Sequence, residues 1–274
     1  MTTTAWKTEL VFTVLLVGSV ARLAAQAVTF SPPGPLPAAT GEAAIIDKAR
    51  QAVADFTKTL PNFVCREVIS RFESVTSPPV WQPVDVITAA LVYDNGKESY
   101  RGITINGKSI NKGMEQLQGA WSTGEFGSVL MQLFAPVTAA DFRFLNDSPL
   151  GGKHAKEFSF AVARENSQWR VEAAGQVTQP GYGGSVWIDP QTARVLRVEM
   201  QAHDLSLRFP AGRVESSTDY EYVQIGSEKY LLPSHCETLT CEQGSSRCAR
   251  NVIYFVDYHK YTSESSIQFG KGKQ

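Results

Sequence analysis

The side chains able to do chemistry are few and scattered. Four cysteines occur, Cys65, Cys236, Cys241 and Cys248, with four histidines, His154, His203, His235 and His259. The run C-x4-C-x6-C is not a usual zinc-finger spacing, and no histidine is regularly placed beside it. No histidine pair has H-x-x-x-H or H-E-x-x-H spacing, so a zinc peptidase is unsupported and each reads as a structural or surface histidine. Ser185 follows Gly183-Gly184, yet a nucleophile elbow needs G-x-S-x-G between strand and helix. This segment reads as strand, turn, strand, with the glycines making a loose connection. Phosphate-loop and dinucleotide patterns are missing, because no glycine-rich turn opens a helix. Asp219 and Glu221 share one strand face, whereas paired glycosidase carboxylates usually come from different elements. Tyr258-His259-Lys260-Tyr261 interleaves aromatic and basic residues as a base-stacking surface would, but a strand with one wet face explains it equally well. No catalytic residue, metal site or cofactor follows, and the expectation is a non-enzymatic protein.

One cysteine pair has a local argument. Cys241 and Cys248 flank a turn centred at Gly244-Ser245, which places them opposite one another on a hairpin. Opposed Cβ atoms on adjacent strands lie roughly 4.5–5.5 Å apart, close to disulfide range. Cys65 and Cys236 either pair with each other or stay as thiols.

The N-terminus explains why disulfides are expected at all. Lys7 precedes the apolar run Leu10–Val20, which leads to Ala25-Gln26-Ala27. A positive flank, a short apolar stretch and an A-x-A site make a cleavable secretion signal over residues 1–27. The run is about half of the roughly 20 residues a membrane-spanning helix needs. An uncleaved anchor is the alternative, since Arg22 sits awkwardly before the cut. Residues 28–40 form a proline-rich linker, with proline at 32, 33, 35 and 37. Residues 41–274 then make one domain of about 230 residues. Loss of Lys7, Glu9 and Arg22 moves the formal charge from -1 to about -2. That near-neutral balance excludes an electrostatic case for nucleic acid or an anionic membrane surface.

The elements of that domain follow from periodicity. Ile45, Ala49, Val53, Phe56 and Leu60 form one helical stripe over 41–60, with Thr40 as cap and Pro61 as stop. Strands are predicted over 63–72, 81–93 and 98–105, joined and closed by Asn95-Gly96 and Asn106-Gly107, which tolerate the positive φ of a tight hairpin. A second helix opens on the capping box Ser122-Thr123-Gly124-Glu125 and carries Phe126, Val129, Leu130, Leu133 and Phe134 on one face, before Pro136. It reads either as core lining or as a movable lid. Strands are again predicted over 141–146, 153–164, 168–179, 185–188, 193–202, 213–225, 229–242 and 247–261, with an edge piece at 267–269 and a flexible connection at 180–184. The class is mainly β with two helices (α+β). Long consecutive antiparallel strands curl as they twist, so a barrel, an open half-barrel or a sandwich is expected. Arg66, Ser70, Arg143 and Arg164 break the alternation that an outer-membrane barrel requires.

Several segments together resemble a group of exported proteins of acidobacterial type. They are Leu60-Pro61-Asn62-Phe63-Val64-Cys65, Gly124–Leu130, Tyr230-Leu231-Leu232-Pro233, Asp257–Tyr261 and the hairpin Val186-Trp187-Ile188-Asp189-Pro190-Gln191-Thr192 through Glu199. The W-I-D-P-x-T hairpin is also similar to that of the periplasmic lipoprotein-carrier (LolA/LolB-like) and sigma-regulator (RseB-like) superfamily. This resemblance implies a strongly curved antiparallel sheet, an open half-barrel whose hollow is covered by helices. It also implies a periplasmic or secreted protein that holds a lipid, an acyl chain or an apolar peptide. The alternative it leaves is an envelope protein-interaction or signalling module without a small ligand. Candidate wall or lid residues are Phe126, Leu130, Leu133, Phe134 and Trp187.

Overall fold

The computed structural model describes residues 40–117, 126 and 128–261. The secretion signal, the linker up to residue 39, the capping box at 122–125 and the edge piece at 267–269 lie outside the described residues.

Helix α1 (Thr40–Thr59) buries Ile46, Ala49, Val53 and Phe56, with Ile45 and Leu60 packed partly against the core. Pro61 lacks the N–H that another turn would need, and Lys58 sits favourably among the last carbonyls. Strands β1 (Phe63–Ser74), β2 (Gln82–Asp94), β3 (Lys97–Ile105) and the short β4 (Lys108–Ser109) follow as a meander. Both asparagine-glycine turns adopt positive φ at each residue, 49° and 79° at 95–96 and 49° and 74° at 106–107. That is the twist-matched hairpin geometry those residues favour.

After helix α2 (Ser128–Phe134) come β5 (Asp141–Asp147), β6 (Lys156–Val162), β7 (Val171–Ala173), β8 (Gln176–Thr178) and β9 (Gly181–Ile188). The chain then runs through β10 (Val195–His203), β11 (Ala211–Ile225), β12 (Glu228–Glu242) and β13 (Cys248–Lys260). Eleven of these strands form one sheet in the order β4-β3-β2-β1-β13-β12-β11-β10-β9-β6-β5, while β7 and β8 pair only with each other. All of its pairings are antiparallel, and β1 against β13 welds the first meander to the second. The sheet stays open, ending at β4 and β5.

That order dictates where α2 lies. The chain leaves at the β4 edge and returns at the β5 edge, ten strand spacings away, or roughly 48 Å at about 4.8 Å each. The connection must cross a face, and its described residues Met114, Phe126, Leu130, Leu133 and Phe134 are buried on the face that α1 covers. Phe126 fills a ring cage, 5.3 Å from Phe63, 4.8 Å from Phe255 and 6.2 Å from Tyr258 between centroids. Leu130, Leu133 and Phe134 pack with Ile46, Ala49 and Val53 of α1.

Two expectations need correction. The strand expected over 168–179 is a separate hairpin, folded back at Ala174-Gly175 with φ of 47° and 74°. The connection expected to be loose at 180–184 is mostly the start of β9, paired on both sides with β6 and β10. A Cβ on Gly184 would lie 1.9 Å from the Glu199 carbonyl oxygen, so this glycine serves close strand approach rather than flexibility. Of the two states the sequence left open for Cys65 and Cys236, the structure has separate thiols. Cys236 is level with Ile253 on β13 and so with Ile69 on β1, four residues from Cys65, a separation of about 13 Å along the strand.

Candidate ligand cavity

The covered face is not filled uniformly. Over β1, β2 and β13 its inward positions include Phe63, Cys65, Ile69, Ile87, Leu91, Ile253 and Phe255, all buried. Towards one end of β10, β11 and β12 the same face carries shorter, polar side chains. The register sets Met200 opposite Ser216, Ser216 opposite Thr238, and Val214 opposite Thr240, with Thr218 one step further along. Above them lies a cavity of about 1110 Å³.

Its walls come from the sheet's appendages. Val129 and Gln132 of α2 form one side. The β7–β8 hairpin with its leading segment from Gln168 forms another, and Leu207–Ala211 a third. The hairpin stays because Val171 packs with Phe209, Ala211 and Val214, supported by Trp169 and Leu205. Arg164 ties it down further, donating to the Asp204 carbonyl at 2.8 Å and to Thr178 Oγ1 at 3.0 Å. Trp169 meets the Tyr182 ring edge-on at 5.5 Å, and burial pushes the Tyr182 phenol up to about 12. Most of its charged groups are paired, Arg170 with Glu172 at 2.8 Å, Glu215 with Arg213 at 2.7 Å, and Arg247 with Glu242 at 3.5 Å and Glu73 at 3.7 Å, while Arg208 also lines it.

The expected residues fall into two places. Phe126, Leu133 and Phe134 are packed core, and Leu130 bounds only a crevice of about 20 Å³ between α1 and the sheet. That crevice is near the size of one water. Trp187 lies on the opposite face of β9 from Val186 and Ile188, its ring 5.9 Å from the Arg197 guanidinium. Met200, Val214, Thr218, Thr238, Thr240, Trp169 and Phe209 were not singled out by sequence. For the hydroxyl residues the signal was a period-two series on each strand, Ser216-x-Thr218 on β11 and Thr238-x-Thr240 on β12, with Ser216 opposite Thr238, where a filled core would need large apolar ones.

Cys241 and Cys248 are joined, with an S–S distance of 2.07 Å and Cys248 at the cavity margin. Cys65 and Cys236 are buried thiols. Burial, then the nearby Glu67 carboxylate, pushes the Cys65 thiol well up from its usual value. His235 is the histidine with carboxylate partners: Nδ1 is 3.1 Å from Asp219 and Nε2 is 3.6 Å from Glu237. Its second nitrogen faces a carboxylate, not a hydroxyl, so this pair does not activate a serine. Among the described residues, no group of three His, Cys, Asp or Glu side chains is placed to hold a metal ion. Nor is any described helix long and apolar enough to cross a membrane.

No family model and no curated protein matches the chain. Among solved structures it is similar to a domain assigned to outer membrane lipoprotein sorting from Vibrio parahaemolyticus. That match has 12% identity and a TM-score of 0.41, covering 82% of this chain and 95% of that one. A DUF1329 family protein from Desulfovibrio piger matches at 12% identity and TM-score 0.37, over 81% of this chain and 94% of that one. The Pseudomonas aeruginosa MucA/MucB complex matches at 12% identity and TM-score 0.21, over 76% and 93%. Likenesses this remote carry no argument about fold or role. They lend no support to an acidobacterial origin.

Proposed function

We propose that this is an exported, non-enzymatic protein that holds a hydrophobic ligand in the cavity beneath α2 and the β7–β8 hairpin. Residues 1–27 are removed as a secretion signal, 28–40 tether, and 41–274 form one domain acting in the periplasm or outside the cell. The sheet curves around its covered face as an open half-barrel. The observation that carries the reading is the 1110 Å³ cavity on that face. It is slightly larger than the about 300–1,000 Å³ typical of small-molecule sites, and a ligand there gains about 25 cal/mol for each Å² of apolar surface removed from water.

The ligand's apolar part lies against Met200, Val214, Phe209 and Val129. Thr218 already donates to Cys236 Sγ at 3.6 Å, and the hydroxyls of Ser216, Thr238 and Thr240 favour a ligand that also returns hydrogen bonds, such as a lipid with an ester or amide near its chain, or an apolar peptide. Buried hydroxyls left without partners would cost about 1–3 kcal/mol each. Leu130, Leu133 and Phe134 serve by fixing α2 as a wall. Native mass spectrometry of protein purified from its envelope, with lipid extraction, tests this. A retained ligand, or displacement of a fluorescent fatty acid by envelope lipid, is expected. Protein that is always empty and binds no such probe overturns it.

One observation favours a second reading, an envelope protein-interaction module. Edge strand β5 exposes Phe144 (38%) and Leu145 (49%), a surface suited to strand addition by a partner. Stoichiometric capture of one protein, lost when Leu145→Lys is introduced, would favour it.

A further inference from the structure

The sheet face away from the helices carries a second recess of about 590 Å³, which shares Met200, Glu215, Ser216 and Thr238 of the intervening strands with the ligand cavity. Its lining alternates small and long side chains. Gly183, Ser185 and Ser217 leave a trough, and a Cβ on Gly183 would come within 3.1 Å of His203 Nε2 and 2.8 Å of the Phe160 carbonyl oxygen. Around the trough stand Arg197, Glu199, Glu237 and Arg250, with the Trp81 indole at one end.

These long side chains are held before any ligand arrives. Arg197 donates to Glu199 at 2.8 Å and to both Asp219 oxygens at 2.6 Å. Arg250 donates to Glu237 at 2.8 Å and stands 6.0 Å from the Trp81 ring. Glu215, also in the lining, is held by Arg213 at 2.7 Å. Every carboxylate of the recess therefore has a cation beside it. A charged ligand finds its own attraction cancelled by the neighbouring opposite charge. What the recess offers is fixed donors and acceptors, little ordering entropy to lose, and one aromatic surface.

From this charge-balanced, preorganised trough we infer a binding site for a neutral, polyhydroxylated ligand, an oligosaccharide segment whose sugar face stacks on Trp81. Hydroxyls bridge the spare lone pairs of Glu199 and Glu237 and the remaining guanidinium hydrogens. The sugar's apolar C–H face meets the indole, and Gly183 and Ser217 give it depth.

Saturation-transfer NMR on the full chain tests this with neutral maltotetraose and tetra-N-acetylchitotetraose, against acidic tetragalacturonate and cationic tetraglucosamine. Transfer to at least one neutral probe is expected, with Kd about 1 mM or tighter. Trp81→Ala and the trough-filling Ser217→Tyr should each weaken it about tenfold, with circular dichroism unchanged, while Tyr222→Ala, an exposed ring outside the recess, leaves it intact. No transfer to either neutral probe overturns the site. So does binding of the charged probes alone, or equal loss in Tyr222→Ala.

Discussion

Two stretches of one sheet face meet different ends. Around Phe126 the covered face is filled: Phe63, Phe255 and Tyr258 enclose that ring, and Leu91, Leu232 and Ile253 beside them are at most 1% exposed. Across β10, β11 and β12, Met200, Ser216, Thr218, Thr238 and Thr240 face a hollow instead. Both belong to one continuous sheet, so the difference lies in side-chain size and in what the crossing connection lays on top. Where large rings descend from it, the face is sealed. Where Val129 and Gln132 stand over threonines, room is left.

The largest test of that contrast is Phe126→Ala. Removing a fully buried ring costs about 3–5 kcal/mol, read from urea unfolding. A loss under about 1 kcal/mol would mean that the sealed half is not close-packed, and the distinction collapses.

Next is the staple at the hollow's margin. Cys241 and Cys248 are seven residues apart in sequence, and closing so short a loop is worth about 2 kcal/mol. The double change Cys241→Ser with Cys248→Ser should lose about that much stability. Amide exchange should rise near residues 241–248 and stay slow around Phe255. Equal acceleration in both places would show the two halves to open as one unit.

The third test addresses the sealed half through pH. Cys65 is fully buried, and burial followed by Glu67 raises its pKa in the folded state. The native thiol keeps its proton where the unfolded one has lost it. Its contribution is therefore complete below pH about 8.5 and declines above it, by about 1.4 kcal/mol per pH unit until the folded pKa is reached. Buried Tyr258, also raised by burial, adds to the alkaline loss above pH about 10. Cys65→Ala should flatten the stability profile between those two points. An unchanged slope there would show that the thiol is already hydrated.

Much of the frame was legible because its signals are local. The α1 stripe, two asparagine-glycine turns and the Cys241–Cys248 hairpin each depend on residues close in sequence. The β7–β8 fold-back was not, because Ala174 takes a positive φ that alanine rarely adopts. Gly183-Gly184 misled for another reason: glycine marks flexibility and close packing alike, and only the neighbouring strands decide. Pairing of β1 with β13 is the least local fact of all. The candidate site suffered most, since a greasy helix reports what is buried, whereas a hollow is reported by inward residues that are too small.

The smallest expected effect is the most informative about the ligand. Thr238→Val exchanges a hydroxyl for a methyl at nearly constant volume, and with Thr238 only partly buried, stability should shift by about 0.5 kcal/mol or less. Its effect on binding depends on the chemistry in the hollow. A bare acyl chain would bind as well or slightly better, because one polar group fewer must be desolvated. A ligand that hydrogen-bonds the threonine row would lose about 0.5–1.5 kcal/mol, roughly twofold to twelvefold in Kd. Fluorescent fatty-acid displacement by the extracted ligand, in both proteins, separates the two by sign. Because the fold is scarcely perturbed, that sign reports on the occupant and not on the wall.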